Sequence, residues 1–248
     1  MWIPSRTPHL LLLAHTIGPL LPTLAQTPRN IAHVPFVGCP SHDQLNFVKP
    51  PTDDNKQVTL SAKATQQLAY YKAELGFGVL APRGWHCFGL SGSGGTSLYV
   101  VPEPIQAEEI YSKVSAGFKG PVVALEENSG AGGSGSFQVA EIIARVFPAY
   151  KDFLTGFRAD GVPLPAGPYP TDKLTYKSKR IVEYETPANT DGLGTQPGIM
   201  KDSLPIAGVA VLSGKAPDAE LLTVRLPTKL KLLAPAIVQQ LEEDLAKQ

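Results

Sequence analysis

The sequence lacks an excess of charge of either sign. Its 248 residues include 22 Lys and Arg against 22 Asp and Glu, and no long run carries a single sign. A protein that binds nucleic acid or an anionic membrane surface electrostatically carries a basic patch or stripe. The composition therefore predicts no nucleic-acid partner.

A long apolar run is also missing beyond residue 25. A membrane-spanning helix needs about 20 consecutive apolar residues, and no segment after the N-terminal stretch approaches that length. We therefore expect no transmembrane segment in the mature chain. With 43% apolar and 18% charged residues, the chain has the composition of a folded protein with a substantial core.

Familiar catalytic motifs are absent as well. The sequence contains no G-x-S-x-G nucleophile elbow, no H-E-x-x-H zinc helix, no EF-hand loop and no Gly-Lys-Ser/Thr phosphate loop. The serines of "GLSGSGG" (89–95) do not have elbow spacing. A P-loop is therefore excluded, and the sequence gives no signal for the enzyme classes that the other motifs define.

The N-terminal residues, by contrast, have the pattern of an export signal. Arg6 supplies a basic start, Leu10 to Ala25 is mostly apolar, and Thr23 and Ala25 place small residues at the −3 and −1 positions of a cleavage site. The pattern predicts cleavage after Ala25 and a periplasmic or secreted mature protein. An uncleaved anchor is the alternative.

Both cysteines, Cys39 and Cys87, lie beyond the predicted cleavage site. An even number of cysteines in an oxidising compartment favours a disulfide between them. In the chain-entropy model, closing a loop of this length contributes about 4 kcal/mol of stability. The sequence therefore predicts one Cys39–Cys87 bridge.

Other interpretations of these cysteines stay open. Cys39, His42, His86 and Cys87 are residue types that zinc prefers, although neighbours on a strand point to opposite faces. Cys87 could instead be a reactive thiol with His86 as its base. Finally, "FVGC" could be a lipoprotein signal that ends at Cys39.

Three segments have helical spacing. "AKATQQLAYYKAE" (62–74) predicts a moderately amphipathic helix. "FQVAEIIARVFPAYKDFLTGFRADG" (137–161) carries the clearest apolar stripe, which Pro148 kinks or divides. "APAIVQQLEEDLAKQ" (234–248) predicts a final helix with Pro235 near its first turn.

Strand-like runs account for most of the remaining chain. They lie at 78–80, 85–90, 96–101, 121–127, 173–186 and 205–227. The first three predict a meander with Gly-rich turns, and each of the last two predicts a hairpin. The Pro-rich residues 26–58 predict an extended entry segment with one short strand. The whole pattern predicts a single α+β domain of mostly antiparallel sheet with two or three packed helices.

"GAGGSG" (130–135) matches the dinucleotide-binding pattern G-x-G-x-x-G between a predicted strand and a predicted helix. However, no strand that ends in Asp or Glu follows about 20 residues later, where ribose recognition requires one. An exported protein would also meet few dinucleotides. We therefore interpret the motif as a strand-to-helix connection and predict no cofactor and no metal.

Few side chains stand out as catalytic candidates. His33, His42 and His86 are the histidines of the mature chain, and His86 is the weak catalytic candidate because its neighbourhood is rich in glycine. Glu183 and Glu185 would share one face of a strand, where a solvent-facing edge is the simpler interpretation.

Four segments carry a resemblance to known proteins: "VPFVGCPS", "VLAPRGWHCFG", "YPTDKLTY" and "VEYETP". Together they resemble a family of exported bacterial proteins with a GWHC motif and no characterised function. The resemblance spans most of the mature chain. It implies secretion and an intact domain, but no activity.

These observations predict a secreted or periplasmic domain that acts as a binding or interaction module of the cell envelope, with an envelope component or a small ligand as its partner. The alternative is an exported hydrolase that uses His86 with a serine, such as Ser91 or Ser93, or with a carboxylate.

Overall fold

β-Strands dominate the computed structural model of the protein, which describes residues 28–44, 46–106, 109–195 and 198–247. The strands are β1 (Asn30–Gly38), β2 (Ser41–His42), β3 (Phe47–Val48), β4 (Asn55–Leu60), β5 (Leu68–Lys72), β6 (Val79–Pro82), β7 (His86–Gly92), β8 (Gly95–Val101), β9 (Val122–Asn128), β10 (Lys173–Tyr176), β11 (Ile181–Thr186), β12 (Ile206–Ser213) and β13 (Asp218–Arg225). The α-helices are α1 (Ala62–Gln67), α2 (Ile110–Ala116), α3 (Gly135–Val146), α4 (Thr155–Ala159) and α5 (Ala234–Leu245). The predicted signal peptide and its cleavage site lie outside the described residues.

The strands form two sheets. The smaller sheet has the order β4-β1-β5-β6, and the larger sheet has the order β10-β11-β12-β13-β9-β8-β7-β2-β3. Neighbouring strands are antiparallel except for the parallel pairs β1–β5 and β2–β7. The predicted α+β class with a mostly antiparallel sheet is broadly consistent with this architecture, which is rich in strands. Two long helices, α3 and α5, and three short ones are present in the described part of the chain, where two or three helices were predicted.

Two hydrophobic cores lie on opposite faces of the larger sheet. The first fills the space between the larger sheet, the smaller sheet and α5, and it includes Leu68, Leu125 and Ile237. The second lies between the larger sheet and α3, and it includes Ala124 and Ile143. Because successive side chains of a strand point to opposite faces, β9 contributes alternate residues to the two cores.

The predicted helix over 62–74 is wrong in its second half. The helix α1 ends at Gln67, and the chain continues as β5 between β1 and β6. The side chains of Leu68 to Tyr71 are all buried. A strand that is covered on both faces shows a continuous apolar run instead of alternation, so its pattern resembles that of a buried helix.

The predicted meander over 78–101 also needs correction. Strands β7 and β8 form the expected hairpin, but β6 pairs with β5 in the smaller sheet. The turn "PRG" (82–84) therefore carries the chain from one sheet to the other. Gly84 has φ +78°, which a glycine adopts without the strain that other residues would incur.

The entry segment predicted over 26–58 contains more structure than one short strand. It holds β1, β2, β3 and β4, and β1 is an inner strand of the smaller sheet. The N-terminal half of β1 pairs with β4, and its C-terminal half pairs with β5. The pairing could not be recognised from the sequence because Pro35 lies within β1 itself. Proline in a strand normally indicates an edge strand or no strand at all.

Several other elements confirm the sequence-based predictions, whereas the helix α2 was not predicted. The strands β10–β11 and β12–β13 form the two expected hairpins. The long apolar stripe forms α3, after which a 3-10 segment begins at Pro148 and leads into α4. The helix α5 starts with Pro235 in its first turn. Among the described residues, no helix is both long enough and apolar enough to cross a membrane.

Candidate functional site

The predicted disulfide is present. The sulfur atoms of Cys39 and Cys87 are 2.05 Å apart, and the two Cα atoms are separated by 5.3 Å. The bridge uses the only two cysteines of the chain, so the zinc, reactive-thiol and lipoprotein interpretations are wrong. Within the described ranges, no group of three His, Cys, Asp or Glu side chains is placed to hold a metal ion.

His86 begins β7 with an exposed side chain, while Trp85 and Cys87 both pack against the first core. Ser91 is five residues further along the same strand, about 17 Å away and on the other face. The structure therefore does not bring His86 together with Ser91. Ser93 lies still further away, in the β7–β8 turn. A catalytic role for His86 with a carboxylate partner stays a prediction.

The other two histidines of the mature chain contact polar neighbours. His33 Nδ1 lies 2.7 Å from Asn55 Oδ1. His42 Nδ1 lies 2.8 Å from the hydroxyl oxygen of Tyr111, and the two rings meet edge to face.

The glycine motif at 130–135 connects β9 to α3, as interpreted from the sequence. Strand β9 is antiparallel to both of its neighbours, β8 and β13, so the motif is not part of the parallel β-α-β unit in which it holds a dinucleotide. A Cβ atom on Gly135 would lie 2.1 Å from the carbonyl oxygen of Gly94. Here the glycine permits two loops to pack closely.

A groove runs between α5 and the β10–β11–β12 end of the larger sheet. Two cavities form it, and they share Lys173, Glu185 and Ala207 in their walls. Their volumes are about 480 Å³ and about 540 Å³, within the range of small-molecule sites. We call them the polar half and the apolar half of the groove.

Ion pairs line the polar half. Glu183 and Glu185 lie on one face of β11, as predicted, but both face the groove and pair with lysines of the β10–β11 hairpin. Lys177 Nζ lies 3.1 Å from Glu183 Oε1, and Lys173 Nζ lies 2.9 Å from Glu185 Oε1. The side chain of Glu185 is 62% exposed, as the solvent-facing interpretation predicted, whereas that of Glu183 is 32% exposed.

Glu242 of α5 faces these ion pairs across the polar half. Burial raises the pKa of Glu242, the negative charge of Glu183 raises it further, and Lys177 opposes the rise. The interaction of the Glu242 carboxyl group with that of Glu183 is a further cause of the raised pKa. The Oε1 atom of Glu242 is buried and has no hydrogen-bond partner. Within the described residues, this oxygen is therefore an acceptor whose hydrogen bond is not satisfied.

The apolar half continues from the polar half along the groove. Its walls include Leu204, Pro205, Leu226 and Leu232. The side chain of Leu232 is 77% exposed and lines this cavity. The groove therefore joins an apolar compartment to a compartment of charged and hydrogen-bonding groups.

Small residues of β12 open the floor of the groove. Ala207 fills little of the space between α5 and β11. Next to it, a Cβ atom on Gly208 would lie 2.4 Å from the ring of Tyr184, which crosses under the strand. The Tyr184 hydroxyl donates to the carbonyl oxygen of Leu222 at 2.9 Å and is buried. The sequence "IAG" (206–208) thus sets the depth of the floor.

The helix α5 supplies the opposite wall with one stripe of its surface. The groove contacts Pro235, Val238, Gln239 and Glu242, which recur at helical spacing. Ile237 and Leu241 point instead into the first core. The sequence analysis predicted this helix but assigned no role to the stripe that faces the groove. The spacing of Gln239 and Glu242 already places them on one helix face.

A separate cavity of about 350 Å³ lies under α3, on the other face of the larger sheet. Ser97, Tyr99, Glu126 and Asn128 form its floor, and Glu141 of α3 is in its wall. Burial raises the pKa of Glu126 to about 7. Sequence reasoning missed this carboxyl group, although a glutamate within the apolar strand "VVALEEN" (122–128) is a visible signal.

Comparisons with protein-family models, with curated proteins and with solved structures found no match to this chain.

Proposed function

We propose that the protein is an exported, periplasmic or secreted binding module of the cell envelope, and that it binds an amphipathic small molecule in the groove beside α5. The observation that carries this proposal is the continuity of the polar and apolar halves, which share Lys173, Glu185 and Ala207. A concave site that is mainly apolar and holds a few oriented polar groups is the usual form of a small-molecule site.

The groups in the groove indicate the chemistry of the ligand. The apolar half, with Leu226 and Leu232 in its wall, suits an alkyl or aromatic portion. At the other end, the buried Oε1 of Glu242 lacks a donor, and a buried acceptor without a partner costs about 1–3 kcal/mol. An N–H or O–H group on the ligand would satisfy it. The ligand is therefore an amphiphile with a hydrogen-bond donor in its polar part.

Export is supported by two independent features. The Cys39–Cys87 disulfide is typical of proteins that mature in an oxidising compartment. The N-terminal sequence around Arg6 and Ala25 has the pattern of a signal peptide. The resemblance to exported bacterial proteins agrees with both. A mature protein that begins near Gln26 and is recovered outside the cytoplasm is the expected product.

Binding can be tested with N-phenyl-1-naphthylamine, which combines apolar rings with one N–H donor and fluoresces in apolar surroundings. The test variant is Ala207→Trp, because Ala207 is half-buried in the floor shared by both halves. We expect saturable binding to the wild type and binding that is weaker by about tenfold or more in this variant, since the indole fills the groove. Ala166→Trp, at an exposed loop position, is the matched control.

Leu232→Asp gives a second variant, because an exposed position tolerates the change without loss of folding. It should also weaken binding, since it places a charge at the apolar mouth. A wild-type protein without saturable fluorescence enhancement, or variants of Ala207 and Leu232 that bind as the wild type does, would contradict the proposal.

A further inference from the structure

A third cavity, distinct from the groove, has an unusual set of lining residues. It has a volume of about 410 Å³ and lies beside the ends of β8, β9 and β13, under the segment 75–77. Three carboxylates line it: Glu127, Asp218 and Glu220. None of the described residues in its wall is Lys, Arg or His. We call it the acidic cavity.

Strand register places two of the carboxylates side by side. Thr96, Glu127 and Glu220 are direct partners across the antiparallel strands β8, β9 and β13. Directly opposite residues share a face, with Cβ atoms about 5 Å apart, and like charges in such pairs repel each other. A sheet with Glu127 opposite Glu220 therefore carries an electrostatic cost that a bound cation would relieve.

Among the described carboxylates of this cavity, one has a buried oxygen without a hydrogen-bond partner. Glu127 Oε1 accepts from the Phe77 backbone N–H at 2.6 Å. Asp218 Oδ1 accepts from Gly130 N–H at 2.8 Å. Glu220 Oε1 accepts from the Ser213 hydroxyl at 2.7 Å, whereas Glu220 Oε2 is buried and has no partner. The whole Glu220 residue is only 3% exposed, and it lines the acidic cavity.

The backbone at Gly76, above the cavity, lies close to the Glu127 carboxylate. Gly76 has φ +80°, and a Cβ atom there would lie 2.3 Å from Glu127 Oε1. Lys72 donates to the carbonyl oxygen of Gly76, and its charge partly offsets that of Glu127. Lys72 is the counter-charge that acts on Glu127, and no positive charge of the described residues acts on Glu220 in the same way.

We propose that the acidic cavity binds a primary alkylammonium group, with Glu220 Oε2 as the main acceptor and with Glu127 and Asp218 as flanking charges. An ammonium group has three N–H donors that can reach separate acceptors, and hydrogen bonds between charged groups are the stronger ones. A metal ion needs several ligands at about 2.0–2.6 Å, and no described group of three such side chains has that arrangement. The ammonium group can come from a free diamine or from a lysine side chain of a peptide.

The test measures binding of cadaverine and of Nα-acetyl-lysine amide to the wild-type protein by calorimetry, with 1-pentanol and CaCl₂ as comparisons. We expect saturable binding of at least one amine and none of pentanol or calcium. Binding of cadaverine alone identifies a free-diamine site, and binding of the lysine amide identifies a site for peptide lysines. Tighter binding of pentanol or calcium than of either amine, or no binding of either amine, would overturn the proposal.

Glu220→Gln tests the assigned acceptor. Glutamine keeps an oxygen for the Ser213 hydroxyl and removes the repulsion with Glu127, so the variant should melt no lower than the wild type. Amine binding should fall by about tenfold or more, while the exposed control Glu103→Gln should bind as the wild type does. Unchanged amine affinity in a folded Glu220→Gln variant would show that the amine binds elsewhere.

Discussion

Replacing Glu126 with glutamine should make the protein more stable, and only at the higher pH values. Glu126 lies in the floor of the cavity under α3, where burial raises its pKa to about 7 from an ordinary value of 4.5. The titratable groups that face it in that cavity are Tyr99 and Glu141. Burial disfavours the ionised form of a carboxyl group, and a glutamine side chain does not ionise.

The size and sign of the effect follow from linkage. A folded-state pKa above the unfolded value means that the folded state holds the proton more tightly between pH 4.5 and about 7. The contribution of Glu126 to stability is therefore complete below about pH 4.5 and is lost as the pH rises through 7. One pKa unit corresponds to about 1.4 kcal/mol, so the loss is on the order of 3 kcal/mol.

The assay is urea unfolding of the wild type and of Glu126→Gln at pH values from about 4.5 to 8, with Glu103→Gln as the control for the loss of an exposed charge. The free energy of unfolding of the two proteins should be similar at the acid end. At the alkaline end the Glu126→Gln variant should be more stable by about 1–3 kcal/mol. A stability difference that does not change with pH, or one that favours the wild type above pH 7, would refute the reasoning.

Two further predictions concern the disulfide and the glycine loop. Cys87→Ser should lower the free energy of unfolding by about 4 kcal/mol, and intact-mass measurement should show no alkylation of the wild type unless it is first reduced; ready alkylation of both thiols would contradict the bridge. Gly135→Ala should destabilise the protein more than Gly132→Ala, because a Cβ atom on Gly135 would lie 2.1 Å from Gly94 O whereas nothing lies within 4 Å of one on Gly132. The cost at Gly132, where φ is +136°, should be about 1 kcal/mol from backbone strain, and equal melting temperatures for the two variants would argue against the packing of the two loops.

Local signals in the sequence were sufficient for the elements whose partners are close in the chain. The β10–β11 and β12–β13 hairpins and the division of the long helical stripe at Pro148 could all be predicted from turn residues and apolar spacing. The second half of the segment 62–74 could not, because burial of Leu68 to Tyr71 on both faces of β5 depends on strands that lie elsewhere in the sequence.

The candidate site was harder to predict than the fold. Glu183 and Glu185 were recognisable as one face of a strand, but the groove exists only because α5, which is far along the chain, covers that face. For Glu127 and Glu220 the obstacle was strand register, since their juxtaposition follows from the pairing of β9 with β13. No spacing rule within one segment contains that information.

The order of the larger sheet separates the disulfide from the groove. Cys87 lies on β7, near one edge, whereas the groove lies over β10, β11 and β12, at the other edge. Five strand-to-strand steps separate β7 from β11 in this order, which corresponds to roughly 24 Å. The covalent tie between the sheets is thus at one side of the molecule, and the groove proposed to bind a ligand is at the other. Reduction of the bridge would therefore remove the covalent tie between the sheets on the side of the molecule that lies away from the groove.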